Sequence, residues 1–218
     1  MIPIQNIYYM LSYAFQVLNE QGYKNIATEQ FNNTGELMAA ILEKGIAIQL
    51  KRGLGKEYIL QTEALSSLRG KIDIAESIKT QSMLRKQLIC TYDEFSVNSI
   101  MNRIIKSTVE LLLRSNISKQ RKKNLRKLMV YFSEVDFIDL YTVNWNVQYN
   151  RNNQTYRMLI SICYLVVKGL LQTQSNGHTE LMDFLDEQRM CRLYEKFILE
   201  YYRKEFKNQF TANASQIP

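Results

Sequence analysis

Carboxylate side chains stand close together at two places in the chain, and paired carboxylates are the groups with which metal-dependent hydrolases hold their ion. The pairs are Asp93–Glu94 in TYDEF and Asp136–Asp139 in VDFID. Neither pair is followed by the x-Lys that accompanies the carboxylates of Mg²⁺-dependent nucleases. We therefore expect each pair in a turn or on the surface, and the sequence predicts no metal site.

His178 is the only histidine, and it stands in the turn-like stretch SNGHTE. A multi-histidine metal site is therefore excluded, and a nucleophilic Ser-His or Cys-His site would have to use this one residue. We expect His178 in a loop or a helix cap. The three cysteines, Cys90, Cys163 and Cys191, are far apart and odd in number, so they provide neither a metal-ligand spacing nor a disulfide framework.

Targeting and nucleotide-binding signals are both missing from the sequence. Residues 1–20 contain no Lys or Arg and no small-residue cleavage site, so they do not form a secretory signal. Without a signal or a disulfide framework, the chain is predicted to be cytoplasmic. G-x-G-x-x-G and G-x-x-x-x-G-K-[ST] do not occur, so the chain has no P-loop of its own.

The net charge of +7 is concentrated in one part of the chain. Residues 81–157 contain 13 basic and 6 acidic side chains, whereas the segments before and after them are balanced. The densest run, RSNISKQRKKNLRK, holds cations and no acid: Arg114, Lys119, Arg121, Lys122, Lys123, Arg126 and Lys127. Such a run is typical of a surface that binds phosphates or an acidic protein. The alternative is a solvated helix face, which the lack of an interleaved aromatic residue favours.

Apolar residues recur with helical spacing along most of the chain. In the opening stretch, one stripe predicts a first core helix with tyrosines at its edge: Ile7, Met10, Leu11, Ala14, Phe15 and Leu18. Further helices are predicted at GELMAAILEKGIAIQLKRG, at SIMNRIIKSTVELLLR, in a basic segment ending at Met129, at MLISICYLVVKGLL, and from near Asp183 or Asp186 to about Phe206.

Two of these helices raise a question of placement. MLISICYLVVKGLL is too short for a membrane span and is interrupted by Lys168 and Gly169, so we expect a buried core helix and no membrane contact. The last helix has a broad aromatic face that needs a surface to pack on. Either it folds back on the preceding core, or its packing surface lies in a segment that this sequence does not include.

Alternating stretches predict strands between about residues 55 and 95. KEYILQTEALSSLRGKIDI is typical of short strands around a turn, and QLICTYDEF of a further strand. VDFIDLYTVNW and VQYN are predicted to be strands or extended loops. The predicted fold class is therefore α+β and mostly helical, with a small strand-rich region near residues 55–95.

Six blocks of sequence together resemble the McrC family, the nuclease subunits of the McrBC modified-cytosine (5-methylcytosine) restriction system. They are IPIQNIYYMLSYAF, KGIAIQLKRGL, LRGKIDIAESI, NRIIKSTVELLL, GHTELMDF and RLYEKFILEYYRKE, in the family's order. The resemblance implies that the chain binds a hexameric AAA+ GTPase, McrB, and stimulates its GTP hydrolysis. It also implies that GTP and the modified base are bound by McrB, so that DNA is reached through the complex.

McrC-like proteins end in a PD-(D/E)xK nuclease domain, in which a core helix precedes the strands that carry the metal-binding acids. RLYEKFILEYYRKEF resembles that helix, and Glu195 would occupy its acidic position. The strands that should follow are not in this sequence. We therefore expect no complete catalytic site and no DNA cleavage by this chain alone, with Mg²⁺ as a cofactor only in a full-length relative.

The resemblance implies two parts, a partner-engaging domain over residues 1–155 and a helical segment over 156–218 that leads into a truncated nuclease domain. If an exposed loop enters the ring, the basic residues beside it are predicted to be Lys51, Arg52, Arg69 and Lys71. The alternative for Arg69 and Lys71 is that they only frame the LRGK turn. The alternative for the whole chain is a stand-alone nucleic-acid-binding module that uses residues 114–127.

Overall fold

The computed structural model describes residues 4–15, 18, 23, 25–26, 29–150, 153, 155–173, 187–207, 209 and 211–213, and His178 lies outside them. The helices there are α1 (Ile4–Ala14), α2 (Thr34–Arg52), α3 (Ile74–Lys79), α4 (Ile100–Arg114), α5 (Lys119–Met129), α6 (Tyr156–Thr173) and α7 (Glu187–Glu205). The strands are β1 (Glu57–Leu65), β2 (Lys71–Asp73) and β3 (Leu88–Ser96). Short 3₁₀ helices occupy Ser82–Arg85 and Val130–Phe132. The mostly helical α+β class is confirmed.

Side-chain caps determine where several helices begin. Asn33 caps α2 by accepting from the Glu36 N–H at 2.8 Å, and Ser118 caps α5 by accepting from the Arg121 N–H at 3.2 Å. α2 ends at Gly53, whose φ of 89° lies in the region that favours glycine. The helix predicted at GELMAAILEKGIAIQLKRG is therefore confirmed, with its last residue, Gly53, as the cap.

α1, α2, α4 and α6 enclose one hydrophobic core. Leu11, Ile41, Ile104, Leu112 and Ile162 come from these four helices, and each is fully shielded from solvent. Burying such a side chain stabilises the fold by about 1.5–3 kcal/mol. The buried character of the apolar α6 is thus confirmed, as is the core stripe of the first helix from Ile7 to Ala14; α1 ends before Phe15 and Leu18, the last two residues of the predicted stripe. No helix among the described residues is long and apolar enough to cross a membrane.

The three strands form an antiparallel sheet in the order β1-β3-β2, with β3 in the centre. β3 pairs with β1 from Glu57 opposite Ser96 to Leu65 opposite Leu88. β2 pairs with β3 through Lys71 opposite Thr91. The predicted strands therefore exist, but β1 and β2 are joined through β3 and do not pair with each other across their turn.

The segment that follows the second 3₁₀ helix carries no strand between residues 133 and 150. Exposed and half-buried residues alternate over 142–150, whereas Val135 and Leu140 are buried. Several half-buried side chains pack on the core from outside, including Ile138, Trp145 and Val147. Of the two predictions for this segment, the extended loop is the one that is confirmed.

α7 packs on α1 through a seam of aromatic rings. The Phe197 ring lies 5.8 Å from Tyr9 and 5.4 Å from Tyr13, measured between centroids. The Tyr13 ring also lies 5.5 Å from Tyr201, and its hydroxyl donates to Glu205 at 2.9 Å. Tyr9 and Tyr13 are part of the tyrosine edge predicted for the first helix. The last helix therefore folds back on the preceding structure.

Candidate functional site

Residues 56–97 form a unit that we call the arm, which consists of the sheet, α3 and the 3₁₀ helix Ser82–Arg85. The strands pack mainly on one another and on α3, and make few contacts with the core helices. Within the arm, Cys90 is the only hydrophobic residue that is buried. The arm therefore projects from the helical core and has almost no core of its own.

Two buried residues of the helical core hold the ends of the arm together, and we call them the clamp. Asn102 of α4 donates from Nδ2 to the carbonyl oxygens of Gly55 at 2.9 Å and Val97 at 2.7 Å. The Tyr156 hydroxyl donates to Asn102 Oδ1 at 2.8 Å and accepts from the Gly55 N–H at 2.7 Å. Because the chain enters the arm after Gly55 and leaves it at Val97, the clamp fixes both ends.

The chemistry of Tyr156 suits this role. Burial raises the pKa of its hydroxyl, although the hydrogen bonds with Gly55 and Asn102 act in the opposite direction. The hydroxyl therefore remains protonated and available as a donor near neutral pH. The ring lies so close to Gly55 that a Cβ there would stand 3.0 Å from Tyr156 Cε2. Glycine at position 55 permits this approach.

Large apolar side chains cover the outside of the arm. Leu84 is 81% exposed and Tyr58 is 74% exposed. The Tyr58 and Phe95 rings are opposite each other on β1 and β3, with centroids 5.0 Å apart. The exposed set comprises Tyr58, Leu60, Leu68, Ile74, Ile78, Met83, Leu84 and Phe95. An exposed apolar surface of this kind is typical of a protein–protein contact.

The turn between β1 and β2 depends on Gly70. Its φ is 67°, and a Cβ at this position would collide with the carbonyl oxygen of Thr91. Arg69 places its guanidinium over the Tyr92 ring, 4.1 Å from the centroid, and the Tyr92 hydroxyl donates to Glu63. The turn is therefore held by stacking on the sheet as well as by backbone conformation.

The four basic residues predicted to contact a partner fall into two separate pairs. Lys51 and Arg52 are exposed in the last turn of α2, beside the base of the arm. Lys71 is exposed on β2 at the level of Thr62 of β1, because both residues lie opposite Thr91. Five residues of strand separate this level from Glu57, which corresponds to about 17 Å. Arg69 and Lys71 therefore lie well out along the arm, and the structure does not bring the two pairs together.

In the basic run, Arg121 differs from the other cations because acidic side chains surround it. Its guanidinium contacts Glu29 at 2.8 Å, Glu43 at 2.9 Å and Glu36 at 3.6 Å, and its side chain is only 17% exposed. Burial alone would lower the pKa of Arg121, but the hydrogen bonds and charges of Glu43 and Glu29 outweigh it and raise that pKa. Arg121 therefore attaches α5 to α2.

The remaining cations of the run have different surroundings. Arg114 pairs with Glu110 at 3.1 Å on the exposed face of α4, and Lys122 is half-buried on α5. The other four are exposed along α5: Lys119, Lys123, Arg126 and Lys127. The run predicted as one nucleic-acid-binding set is thus distributed over several environments.

Among the described residues, no three His, Cys, Asp or Glu side chains come together in a way that could hold a metal ion. Glu195 is exposed on α7. Asp93, Glu94, Asp136 and Asp139 are exposed as well, so their predicted surface location is confirmed. Asp139 accepts from the Tyr141 N–H at 2.9 Å, which is the contact of a turn-forming side chain.

The clamp is the part of the site that sequence reasoning missed. A signal for it exists, because Asn102 falls on the buried side of α4 together with Ile105 and Val109, three and seven residues later. A polar residue on an apolar helix face needs buried hydrogen-bond partners. Two of those partners, Gly55 and Tyr156, lie 47 and 54 positions away in the chain. The local pattern around Asn102 therefore does not identify them.

Residues 5–217 match the family model described as "McrBC 5-methylcytosine restriction system component". The chain belongs to this family. It is 29% identical over 216 residues to the Type IV methyl-directed restriction enzyme EcoKMcrBC of Escherichia coli (strain K12), and the match covers 98% of this chain and 62% of that protein. The predicted resemblance is confirmed, and the chain is the amino-terminal portion of a McrC-like protein.

The fold of this McrC-like chain is similar to two chains in solved structures. One is in the cryo-EM structure of the Thermococcus gammatolerans McrBC complex, with a TM-score of 0.61, 22% identity, and coverage of 94% of this chain and 59% of that chain. The other is in a half-complex from a tetradecameric assembly of Thermococcus gammatolerans McrB AAA+ hexamers with bound McrC. Here the TM-score is 0.57, the identity 20%, and the coverage 90% of this chain and 47% of that chain. The present chain thus spans less than two thirds of these relatives.

Proposed function

We propose that this chain is the ring-engaging component of a modified-cytosine-dependent DNA restriction system. It binds a McrB-like AAA+ GTPase hexamer and stimulates GTP hydrolysis there, while the partner holds the GTP and DNA is reached through the complex. Family membership supports this proposal, as does the fold shared with chains from McrB–McrC assemblies. The location that fits this function is the cytoplasm.

The arm is the part of the chain that we assign to the ring, and its exposed apolar surface is the observation that carries the proposal. Eight large apolar side chains of the arm are exposed, while only one hydrophobic residue of the arm is buried. Each Å² of apolar surface removed from water contributes about 25 cal/mol, so a partner that covers these side chains gains substantial free energy. A sheet this poor in buried residues is stabilised further when a partner covers it.

The clamp gives the arm a defined direction before it meets the ring. Asn102 and Tyr156 hold its two ends through three hydrogen bonds, and a fourth joins the two side chains to each other. A preorganised element loses less conformational entropy on binding, and this raises its affinity. Lys51 and Arg52 at the base, and Arg69 and Lys71 farther out, then meet acidic side chains or phosphates at two different depths of the partner surface.

A binding experiment tests the assignment of the arm. We expect Leu84→Ser to weaken association with the McrB-like hexamer by about tenfold or more, because this arm side chain is 81% exposed and would lose its apolar contact. Val130→Ser serves as the matched control, since Val130 is 70% exposed but lies outside the arm. Association would be measured by surface plasmon resonance with immobilised hexamer and GTP. Equal affinities of the two variants would contradict the assignment.

The same proposal assigns separate roles to the two parts of the chain in a longer relative. Residues 1–155 engage the partner, and residues 156–218 lead into a PD-(D/E)xK nuclease domain. In that domain α7 is the first core helix, and Glu195 supplies its acidic position. Cleavage of DNA then requires the full-length form, in which further carboxylates would hold Mg²⁺. Fusion of this chain to the nuclease strands of a full-length relative is expected to give Mg²⁺-dependent cleavage that Glu195→Ala reduces.

A further inference from the structure

Four cations of α5 form one continuous exposed surface, which we call the basic stripe. Lys123, Arg126 and Lys127 follow Lys119 by four, seven and eight positions, so all four lie on the same side of the helix. Each of them is exposed. No hydrogen bond or ion pair joins any of the four to another side chain in the part of the chain that the structure describes.

The other side of α5 fixes the direction in which the stripe points. Leu125 is fully buried, and Arg121 is held by its three glutamates. Asn124 donates to Glu43 of α2 at 2.9 Å. Rotation of α5 about its axis would break these contacts. The basic stripe is therefore presented to solvent in a fixed direction, and its four cations form no ion pair among the described residues, although Lys127 lines a pocket that Glu29 and Glu43 also line.

We propose that the basic stripe binds the phosphate backbone of duplex DNA. At 1.5 Å per residue, the stripe from Lys119 to Lys127 is about 12 Å long. One DNA strand places a phosphate about every 3.4 Å along the axis, so the stripe faces about four phosphates with four cations. The amide of Gln120, exposed beside the stripe, donates one N–H to Asn124 at 3.0 Å, and its second N–H is a neutral donor of the kind that also contacts phosphates.

The composition of the stripe favours DNA over an acidic protein. Three of its four cations are lysines, and no apolar side chain interrupts them. Lysine is depleted in the buried centres of protein interfaces, which need aromatic or aliphatic anchors. On a phosphate backbone, in contrast, a flexible ammonium on an exposed helix is a sufficient contact. The stripe reads no base, so its affinity is independent of sequence and it supplements the contacts of any complex that the chain joins.

The proposal is tested by the salt dependence of duplex binding, measured by fluorescence anisotropy with a labelled duplex between 50 and 200 mM KCl. Four phosphate contacts contribute about −3.6 to the slope of log affinity against log salt, or about a hundredfold loss over this range. We expect the quadruple variant Lys119→Gln, Lys123→Gln, Arg126→Gln and Lys127→Gln to lose this contribution. Glutamine retains the helix propensity of lysine, and circular dichroism would verify the fold.

A control variant separates the position of the charges from their number. Arg157→Gln, Lys168→Gln, Lys204→Gln and Lys207→Gln remove the same charge from α6, α7 and the segment after α7, and we expect the slope to change by less than about one unit. An unchanged slope in the stripe variant, or an equal loss in the control, would overturn the proposal. The proposal would also be overturned if the stripe variant lost binding to the McrB-like hexamer but retained duplex binding, because the stripe would then be a protein contact.

Discussion

Replacing Asn102 by alanine removes the centre of the clamp, and we expect this to loosen the arm while the helical core stays folded. The side chain is fully buried and makes three hydrogen bonds, two to the carbonyl oxygens at the ends of the arm and one from the Tyr156 hydroxyl. Each such bond contributes about 1 kcal/mol net, so the loss is about 3 kcal/mol. A domain stabilised by about 5–15 kcal/mol remains folded after this loss.

Two assays distinguish a loosened arm from general destabilisation. Urea unfolding followed by circular dichroism measures the free energy of the whole fold. Limited trypsin digestion measures opening of the arm, because Arg69, Lys71, Lys79 and Arg85 all lie within it. If the loss falls on the arm, the rate of cleavage there rises by up to about a hundredfold. Gln120→Ala removes an exposed amide and is expected to change stability by less than about 0.5 kcal/mol.

A double-mutant cycle with Tyr156→Phe completes the test. The hydroxyl makes two hydrogen bonds, so its removal is expected to cost about 2 kcal/mol. Because one of those bonds is shared with Asn102, the double variant should lose about 1 kcal/mol less than the sum of the single variants. Strict additivity, or an Asn102→Ala arm that trypsin cleaves at the unmodified rate, would refute the clamp.

Further predictions concern the turn, the ion-pair centre and one buried thiol. Gly70→Ala should cost at least about 1–2 kcal/mol in urea unfolding, because a φ of 67° is unfavourable for alanine and the new Cβ meets backbone. Arg121→Met should cost about 3 kcal/mol in urea unfolding, because three glutamates lose their counter-charge. Arg114→Met, at an exposed pair, should cost less than about 0.5 kcal/mol, and equal costs would contradict this difference. Burial raises the pKa of the Cys163 thiol to about 12. Above about pH 8.5 the unfolded chain therefore releases a proton that the folded chain keeps. Because of this difference, the free energy of unfolding falls as pH rises from about 8.5 towards 12. Between pH 8 and 10 the unmodified chain should therefore lose about 2 kcal/mol more than Cys163→Ala, and parallel pH profiles would exclude this cause.

Local patterns were sufficient to predict the longer helices, but they did not predict α3, which begins at Ile74 inside a stretch predicted to form strands. They were also insufficient to predict which strands pair. The stripe of Ile7, Met10, Leu11 and Ala14 predicts α1 because helical periodicity is a property of neighbouring residues. The strands of the arm are equally visible, but their order is not, because β2 joins β3 across a segment that includes α3. VDFIDLYTVNW alternates like a strand and remains a loop, since no strand edge is paired with it.

The candidate sites also include features that the sequence predicts and features that only the fold shows. The basic run is evident in sequence, but only the fold separates Arg121, which faces Glu29, Glu36 and Glu43, from the cations that face solvent. The hydrophobic surface of the arm was also beyond sequence reasoning. Leu84 and Tyr58 have the residue types of a core, and their exposure follows from the projection of the sheet away from the helices.

Engagement of the ring by this chain is tested most directly by GTP hydrolysis of the cognate McrB-like hexamer, titrated with the chain. From the proposed function we expect a rate that rises with added chain and saturates, and that rises much less with the Leu84→Ser variant than with the Val130→Ser control. A rate that stays at the level of the hexamer alone, at concentrations of folded chain that saturate binding, would contradict it.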